Sequence, residues 1–375
     1  MKEIRNRLIG IAAIAVASII LILVVSLFRR NRDAQPVQTS GTVTEQSFAM
    51  GTAVTLTLYG DDGVLKDVSG SILEHIRTLD QDILSWRSEN SELARWNREA
   101  KAGERTKVDH KLAYAVNQSL LISEETSGAL DITLRPVLDE WGIEEKTQDT
   151  FQVPSEDALK KAAARRAGVG DLWGTDDFIS RSREDILIDL GAVGKGYALD
   201  KAYDLLYLGD QGKIYYAPES LKNHDMPVAG GVLAVGGSVM VFGSKPDRTD
   251  FRVGIRDPEG LPDDIVGYIS IPSGTDKMCV STSGGYEKYI EKDGVKYHHI
   301  IDPSTLHPAD SGLRSVTVVC ANGLVSDGLS TACFILGEQK SLSVLSFFHA
   351  EGVFIREDGT TYVTPGLEGK VTWTK

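Results

Sequence analysis

The stretch VTVVCANGLVSDGLSTACFILG, residues 316–337, joins two kinds of apolar pattern. Its first part is rich in β-branched residues and predicts a strand over Ser315–Cys320. A short loop follows, and the spacing from Val325 to Leu336 predicts a helix stopped by Gly337. Asp327 and Thr331 are four residues apart and share one face of that helix. A carboxylate and a hydroxyl near a helix start suit a hard cation such as Mg²⁺, which takes few protein ligands and completes its shell with water and phosphate. The competing reading is plainer: Asp327 answers the helix dipole and Thr331 carries no ligand.

A second strand-to-helix step is DLGAVGKGYALDK, residues 189–201, which follows the apolar run Ile186–Ile188. Gly191, Gly194 and Gly196 let backbone approach a ligand closely, and Lys195 could neutralise a phosphate at the start of a helix. The loop is not a P-loop, because Asp189 stands where the first glycine belongs and Gly196 where Ser or Thr belongs. A dinucleotide fingerprint beginning at Gly194 fails at Leu199. Asp189 cannot hold a phosphate directly but could accept a hydroxyl or a ring N–H. A turn whose glycines serve packing alone fits the same residues.

Three further stretches carry groups suited to a site. In TSGALDITLRPVLDEWG (126–142), the small residues Gly128 and Ala129 break a helix and are followed by Leu130 and Asp131, which would admit a flat ligand or merely cap the helix. In YHHIIDPSTLHP (297–308), His298 and His299 end a strand and face opposite sides, so only one can serve a given site, with Asp302 opening a turn close by. A histidine there is a candidate general base or a solvated strand end. In SFAMGTAV (47–54) and LSWRSENSELARWN (84–97), Met50 and Trp86 could line an aromatic pocket or belong to the core. No G-x-S-x-G elbow occurs, which leaves a serine hydrolase of that type unsupported.

The rest of the chain mixes strands and helices without a steady βαβ rhythm, so the expected class is α+β. Thr52–Tyr59 alternates as a strand, and Val64, Val68, Ile72, Ile76, Leu79 and Ile83 trace one helix face. Helices are expected over Lys111–Ser127, from a Ser155 cap to Gly168, and from Gly196 to about Tyr207. A strand pair is expected around Gly236-Gly237, a hairpin turning at Asp293-Gly294, and a helix with two short strands after Ser341.

The 375 residues carry a formal net charge of −13 and 42% apolar residues. That suits a real core and argues against a general nucleic-acid binder. An anionic ligand would need a local cation or a helix N-terminus. Cys279, Cys320 and Cys333 lack metal spacing and read as buried thiols. Leu8–Phe28 is an uncharged run of 21 residues, about the length needed to cross a bilayer. Its end, Ser26-Leu27-Phe28-Arg29, lacks a small-residue cleavage site, so an uncleaved anchor is expected. Lys2, Arg5 and Arg7 on one side balance Arg29, Arg30 and Arg32 on the other, so charge does not orient it. The expected organisation is a tail (1–7), a membrane anchor (8–28), a polar linker (29–46) and a folded domain (47–375).

Taken in order, MGT (50–52), LSWRSENSELARWN (84–97), GALDITLRPVLDEWG (128–142), DLGAVGKGYALDKA (189–202), AVGGSVMVFG (234–243), SGGYEKY (283–289) with YHHIIDPSTLHP, and SDGLSTACFILG (326–337) form one succession. It resembles the ApbE family of FAD:protein FMN transferases over about residues 45–340. The resemblance implies a T-fold-like domain of mixed sheets with packed helices. It also implies transfer of FMN from FAD to a Thr or Ser hydroxyl of a target flavoprotein, with AMP released and Mg²⁺ required.

By motif, Asp327 and Thr331 match the family's metal ligands, joined by the carbonyl of Ala192. Met50, Trp86, Ala129, Leu130, Asp131, Asp189, Lys195 and Ile301 match flavin-contacting positions. His299 matches the motif histidine, here expected to be the base with Asp302 orienting it. The acceptor would be an exported or membrane redox protein, and the catalytic domain would lie outside the cell membrane on a single-pass anchor. No lipidation cysteine is present, so the 8–28 helix would replace a lipid. The alternatives are an FAD pyrophosphatase, with water as acceptor, and a tethered flavin-binding module without catalysis.

Overall fold

The computed structural model describes residues 41–168, 170–208, 215–216, 226–261 and 263–374. The expected anchor over 8–28 lies outside these residues. Among them, no helix is long and apolar enough to cross a membrane.

The chain opens with a hairpin, β1 (Gly41–Ala49) and β2 (Thr52–Gly60), followed by α1 (Asp62–Thr78). β1 takes in Gly41–Gln46, part of the expected linker, so the folded chain starts before Ser47. The cause is pairing: every residue from Gly41 to Ala49 has a partner on β2. Met50 and Gly51 make the turn, both with positive φ (53° and 70°), as two-residue hairpins require. α1 runs into a π-helical turn, Leu79–Leu84, which is why the single helix face expected from Val64 to Ile83 is broken near its end.

Next come α2 (Glu92–Glu99), β3 (Thr106–Lys107), α3 (His110–Glu125), α4 (Arg135–Trp141), α5 (Glu156–Ala163), β4 (Leu172–Gly174), β5 (Phe178–Arg181) and α6 (Gly194–Leu208). Ser155 does cap α5, through Ala158 N–H, but that helix ends well before Gly168. The second half holds β6 (Val228–Val235), β7 (Ser238–Gly243), β8 (Phe251–Arg256), β9 (Ile265–Ile271), β10 (Thr275–Gly284), β11 (Tyr289–Lys292), β12 (Val295–His298) and β13 (Leu313–Cys320). It closes with α7 (Gly323–Leu336), α8 (Glu338–Phe347), β14 (Glu351–Arg356), β15 (Thr361–Val363) and β16 (Val371–Trp373).

An eight-stranded sheet, in the order β1-β2-β6-β7-β10-β13-β14-β15, is the frame. The sheets are not mixed as expected: each strand pair among the described residues is antiparallel. The α+β class holds, and the reason is the missing βαβ rhythm, since a parallel pair needs a crossover between its strands.

Both faces of this sheet are covered, which explains why Val316–Cys320 reads as a continuous apolar run. Leu233, Met240, Phe242, Cys279, Val316 and Val318 face the helical layer with Leu324, Leu329 and Tyr197. Val241, Val280, Val319, Val353 and Ile355 face the small sheet β16-β9-β8 with Phe251, Val253 and Ile269. The three cysteines are buried thiols as expected, and burial pushes Cys320 and Cys333 up to about 12.

A satellite core holds Leu134, Val137, Trp141, Phe151, Leu159, Ile290 and Ile301. It packs α4 and α5 against the β11–β12 hairpin. The indole of Trp141 donates to the Leu306 carbonyl at 2.8 Å and fixes the following turn. The candidate site lies where this satellite meets the main body.

Candidate active site

Two glycines make the centre possible. α6 and α7 start against each other with backbone in contact: a Cβ on Gly196 would stand 1.9 Å from the Gly323 carbonyl oxygen. The start of α7 is fixed further by Asp200 on α6, whose carboxylate accepts from Gly323 N–H (2.8 Å) and Leu324 N–H (2.9 Å). Lys277 on β10 balances that buried charge at 2.7 Å. The Asn322 side chain caps the same helix through Val325 N–H.

This packing joins the two strand-to-helix steps of the sequence. Asp327, only 3% exposed, accepts from Gly196 N–H at 2.9 Å through Oδ2 and from the Ser238 hydroxyl at 3.0 Å through Oδ1. Lys195 Nζ lies 3.3 Å from the same Oδ1 and 3.4 Å from the Gly191 carbonyl. Burial works to lower the Lys195 pKa, but the Asp327 and Glu287 carboxylates outweigh it and hold the ammonium above its ordinary value. Thr331, one turn on, lies 3.2 Å from Ser283 Oγ, in a seam of hydroxyls between β10 and α7. The Gly196 amide is turned to Asp327, and the Ala192 carbonyl accepts no hydrogen bond from the described residues.

A carboxylate, a hydroxyl and a free carbonyl are thus the oxygens at this point. No cluster of three or more His, Cys, Asp or Glu suited to a metal occurs among the described residues. The donor set fits a hard, partly hydrated cation and not a soft one.

An aromatic wall stands beside it. The π-helical turn places Asp80 so that it accepts from Met50 N–H at 2.7 Å, and Trp86 follows just after it. The Arg135 guanidinium lies 3.1 Å and that of Arg87 3.9 Å from the Trp86 ring centroid. Arg135 reaches Asp189 at 3.5 Å, and Asp189 also accepts from Gly191 N–H at 2.7 Å. Burial raises the Asp189 pKa against those partners. Met50, Trp86, Asp189 and Lys195 therefore belong to one locality, linked through Asp80 and Arg135.

His299 lies within electrostatic reach of Lys195 and Glu144. Its Nδ1 lies 3.2 Å from the Lys288 carbonyl, which can only accept. The neutral ring therefore carries its proton on Nδ1 and offers Nε2 as the base. Burial first, then the Lys288 charge, push its pKa well down, with Glu144 opposing. His298 turns the other way as expected: Nε2 meets the Ala309 carbonyl at 3.0 Å, Nδ1 accepts from Ile300 N–H, and the ring packs edge-on to Phe334.

Other expected residues have different partners. Asp302 does not orient His299; its Oδ1 is taken by the N–H and hydroxyl of Ser304, both at 2.7 Å, because Asp302-Pro303-Ser304 closes a tight turn. The Lys288 carbonyl orients the imidazole instead. Asp131 accepts from Thr133 through one oxygen and pairs with Arg166 at 2.6 Å through the other. Leu130 and Ile301 are core side chains, 2% and 3% exposed, so they offer a ligand backbone and shape only. Ala129 and Asp302 line a cavity of about 620 Å³ with Arg166 and Lys340, beyond the Asp131–Arg166 pair rather than at Asp327.

Sequence reasoning missed Ser238, Asp200, Lys277, Asp80, Arg135, Arg87, Glu144 and Lys288. Ser238, Asp200, Arg135, Arg87 and Lys288 sit inside stretches singled out above, yet nothing in their spacing tells which way a side chain turns.

The chain is similar to several known proteins. The ApbE family model matches residues 50–354. A Treponema pallidum protein named FAD:protein FMN transferase is 32% identical over 314 residues, 80% of this chain and 81% of its own length. An Escherichia coli K12 protein of the same name is 27% identical over 353 residues, 92% of this chain and 94% of its own. The crystal structure of the ApbE protein of Thermotoga maritima superposes with a TM-score of 0.74 at 27% identity, over 88% of this chain and 99% of that one. The sequence motifs, the meeting of Asp327 with the Lys195 turn and these likenesses have one explanation: the chain belongs to the ApbE family.

Proposed function

We propose that this protein is a Mg²⁺-dependent flavin transferase. It moves FMN from FAD to a Thr or Ser hydroxyl of an exported or membrane redox protein and releases AMP. The observation that carries the reading is the meeting of Lys195 and Asp327 at 3.3 Å, from two remote motifs. A diphosphate on a protein of net charge −13 needs local positive charge; Lys195 supplies an ammonium here, and a cation bound at Asp327 would offset the carboxylate paired with it.

Asp327, the Thr331 hydroxyl and the Ala192 carbonyl would hold Mg²⁺, which when bound neutralises the diphosphate and the charge developing on it. The rest is work for the chain's own groups. Lys195 binds phosphate oxygen as a point charge, since the first amides of α7 are already taken by Asp200 and Asn322. Met50 and Trp86 would line the site of a flat ring system, which would take the place of one of the two guanidiniums that cover Trp86, with Asp189 as an acceptor at its edge. His299 Nε2 takes the proton of the acceptor hydroxyl while its oxygen forms the new bond to the FMN phosphorus. The bond from that phosphorus to the bridging oxygen breaks, and AMP carries the electron pair away.

The same reading places the domain outside the cell membrane on the 8–28 anchor. Protease added to intact cells should then degrade the domain, and protection in cells with a demonstrably accessible surface would overturn the placement. The activity itself is tested by incubating the protein with FAD and Mg²⁺, with and without an acceptor. Release of AMP that requires the acceptor supports transfer, whereas equal release without it makes water the acceptor and the protein a pyrophosphatase.

A further inference from the structure

A chain of contacts runs from Trp86 to His299. Arg87, over the Trp86 ring, pairs with Glu144 Oε2. Glu144 Oε1 accepts from Lys288 Nζ at 2.7 Å. The Lys288 carbonyl accepts both the His299 backbone N–H (3.1 Å) and its ring Nδ1 (3.2 Å). Glu145 ties the same corner, 3.7 Å from Arg87 and 3.9 Å from Arg135. Glu144 and Glu145 lie just after α4, whose first residue, Arg135, also lies over Trp86.

We propose that Glu144 is a positioning residue for the transfer reaction. It ties Lys288, and through the Lys288 backbone the His299 ring, to the Trp86 wall, and its carboxylate sets the proton affinity of that ring. The link to catalysis rests on the reading of His299 as the base.

The physical case is one of charge balance. Lys288 and Lys195 face the imidazole and oppose its protonation, and Glu144 is the carboxylate that favours it. Glu287 faces Lys195 and Lys288 rather than the ring, and Asp302 is held by Ser304. Lys288 and Arg87 hold the Glu144 carboxylate down at about 2, against burial, so it remains an anion at any working pH. A base that is too weak takes a proton poorly in the transition state. Glu144 limits how far burial and two cations can weaken this one. The groups are partly exposed, 30% for the Glu144 side chain and 52% for Lys288, so salt screens the effect. A shift of about half a pH unit is the expected scale.

The test uses the full-length protein with ¹³C-labelled histidine, the His299 resonance being assigned with His299→Gln. Its titration midpoint is measured in the parent, Glu144→Gln and Lys288→Met, alongside the acid limb of the pH–rate profile of transfer. The midpoint should fall by about half a pH unit in Glu144→Gln and rise by a similar amount in Lys288→Met, with both shifts shrinking in high salt. Unchanged midpoints, or midpoints that move the same way in both variants, overturn the proposal. If acid unfolds the parent first, Lys288→Met raises the midpoint into a usable range. Adding Glu144→Gln to it must then lower the midpoint again. Opposite midpoint shifts with an unmoved acid limb would support the coupling and remove His299 as the base, so the two readings fail separately.

Discussion

Gly196 and Gly323 meet backbone to backbone. A Cβ on either would stand 1.9 or 2.2 Å from the other's carbonyl oxygen. This contact brings the Asp327 carboxylate to the Gly196 amide and Lys195, so it builds the site as well as the core.

Gly196→Ala should therefore separate the two helix starts. Overpacking of this kind costs about 1–3 kcal/mol, which should appear as a lower Tm together with loss of transfer. Gly194→Ala, two residues earlier, meets nothing within 4 Å and should leave Tm close to that of the parent. Equal Tm values for the two variants would contradict the packing argument.

Asp327→Asn keeps an acceptor for Gly196 N–H but removes the charge. Transfer should fall at least about 10²-fold, because the one charged oxygen proposed for Mg²⁺ is gone. Thr331→Ala removes a neutral hydroxyl that water can replace, so it should raise the Mg²⁺ needed for half-maximal rate with a smaller loss at saturation. The check is a Mg²⁺ titration of AMP release. Parent-like activity of Asp327→Asn at low Mg²⁺ would remove the metal assignment.

His299→Ala should slow transfer by at least about 10²-fold while FAD affinity stays within about a few-fold. His298→Ala should keep the rate and lose stability, about 1–3 kcal/mol, because both its ring nitrogens are bonded inside the fold. Single-turnover transfer, FAD titration and thermal melts on both variants separate the roles. If His299→Ala mainly destroys FAD binding, the residue is a pocket wall.

The pH dependence has a definite sign. The environment of His299 pushes its pKa down to about 4, so the ring is neutral and competent at neutral pH. The transfer rate should stay level as pH falls from 7 through 6, where an ordinary histidine protonates, and drop only at more acid pH. A rate that halves near pH 6.5 would mean that the ring is not depressed in this way.

Much of this was legible in the residues, for reasons particular to each. Val316–Cys320 and the helix after it are unmistakable because β-branched content and helical spacing each persist over whole elements. The opposite facing of His298 and His299 follows from strand geometry alone. Position before a turn did not reveal Asp302's use, since Ser304 supplies two donors that a sequence leaves undirected. The mixed sheets failed because the order of strands depends on how the chain crosses the sheet, with β6 beside β2 and β13 beside β10. The start at Gly41 was hidden because the strand is polar along its exposed face and only half-buried on the other, so it looks like a polar tether. The Arg135–Trp86 and Glu144–Lys288 links join residues far apart in sequence, which no local pattern encodes.

The most direct test is the intact mass of a candidate acceptor protein after incubation with FAD, Mg²⁺ and this protein, with AMP measured in the same sample. The account predicts one added phosphoflavin group per acceptor, one AMP released for each, and neither with Asp327→Asn in place of the parent. An acceptor that gains flavin equally with Asp327→Asn, or AMP that appears while the acceptor's mass never changes, would contradict it.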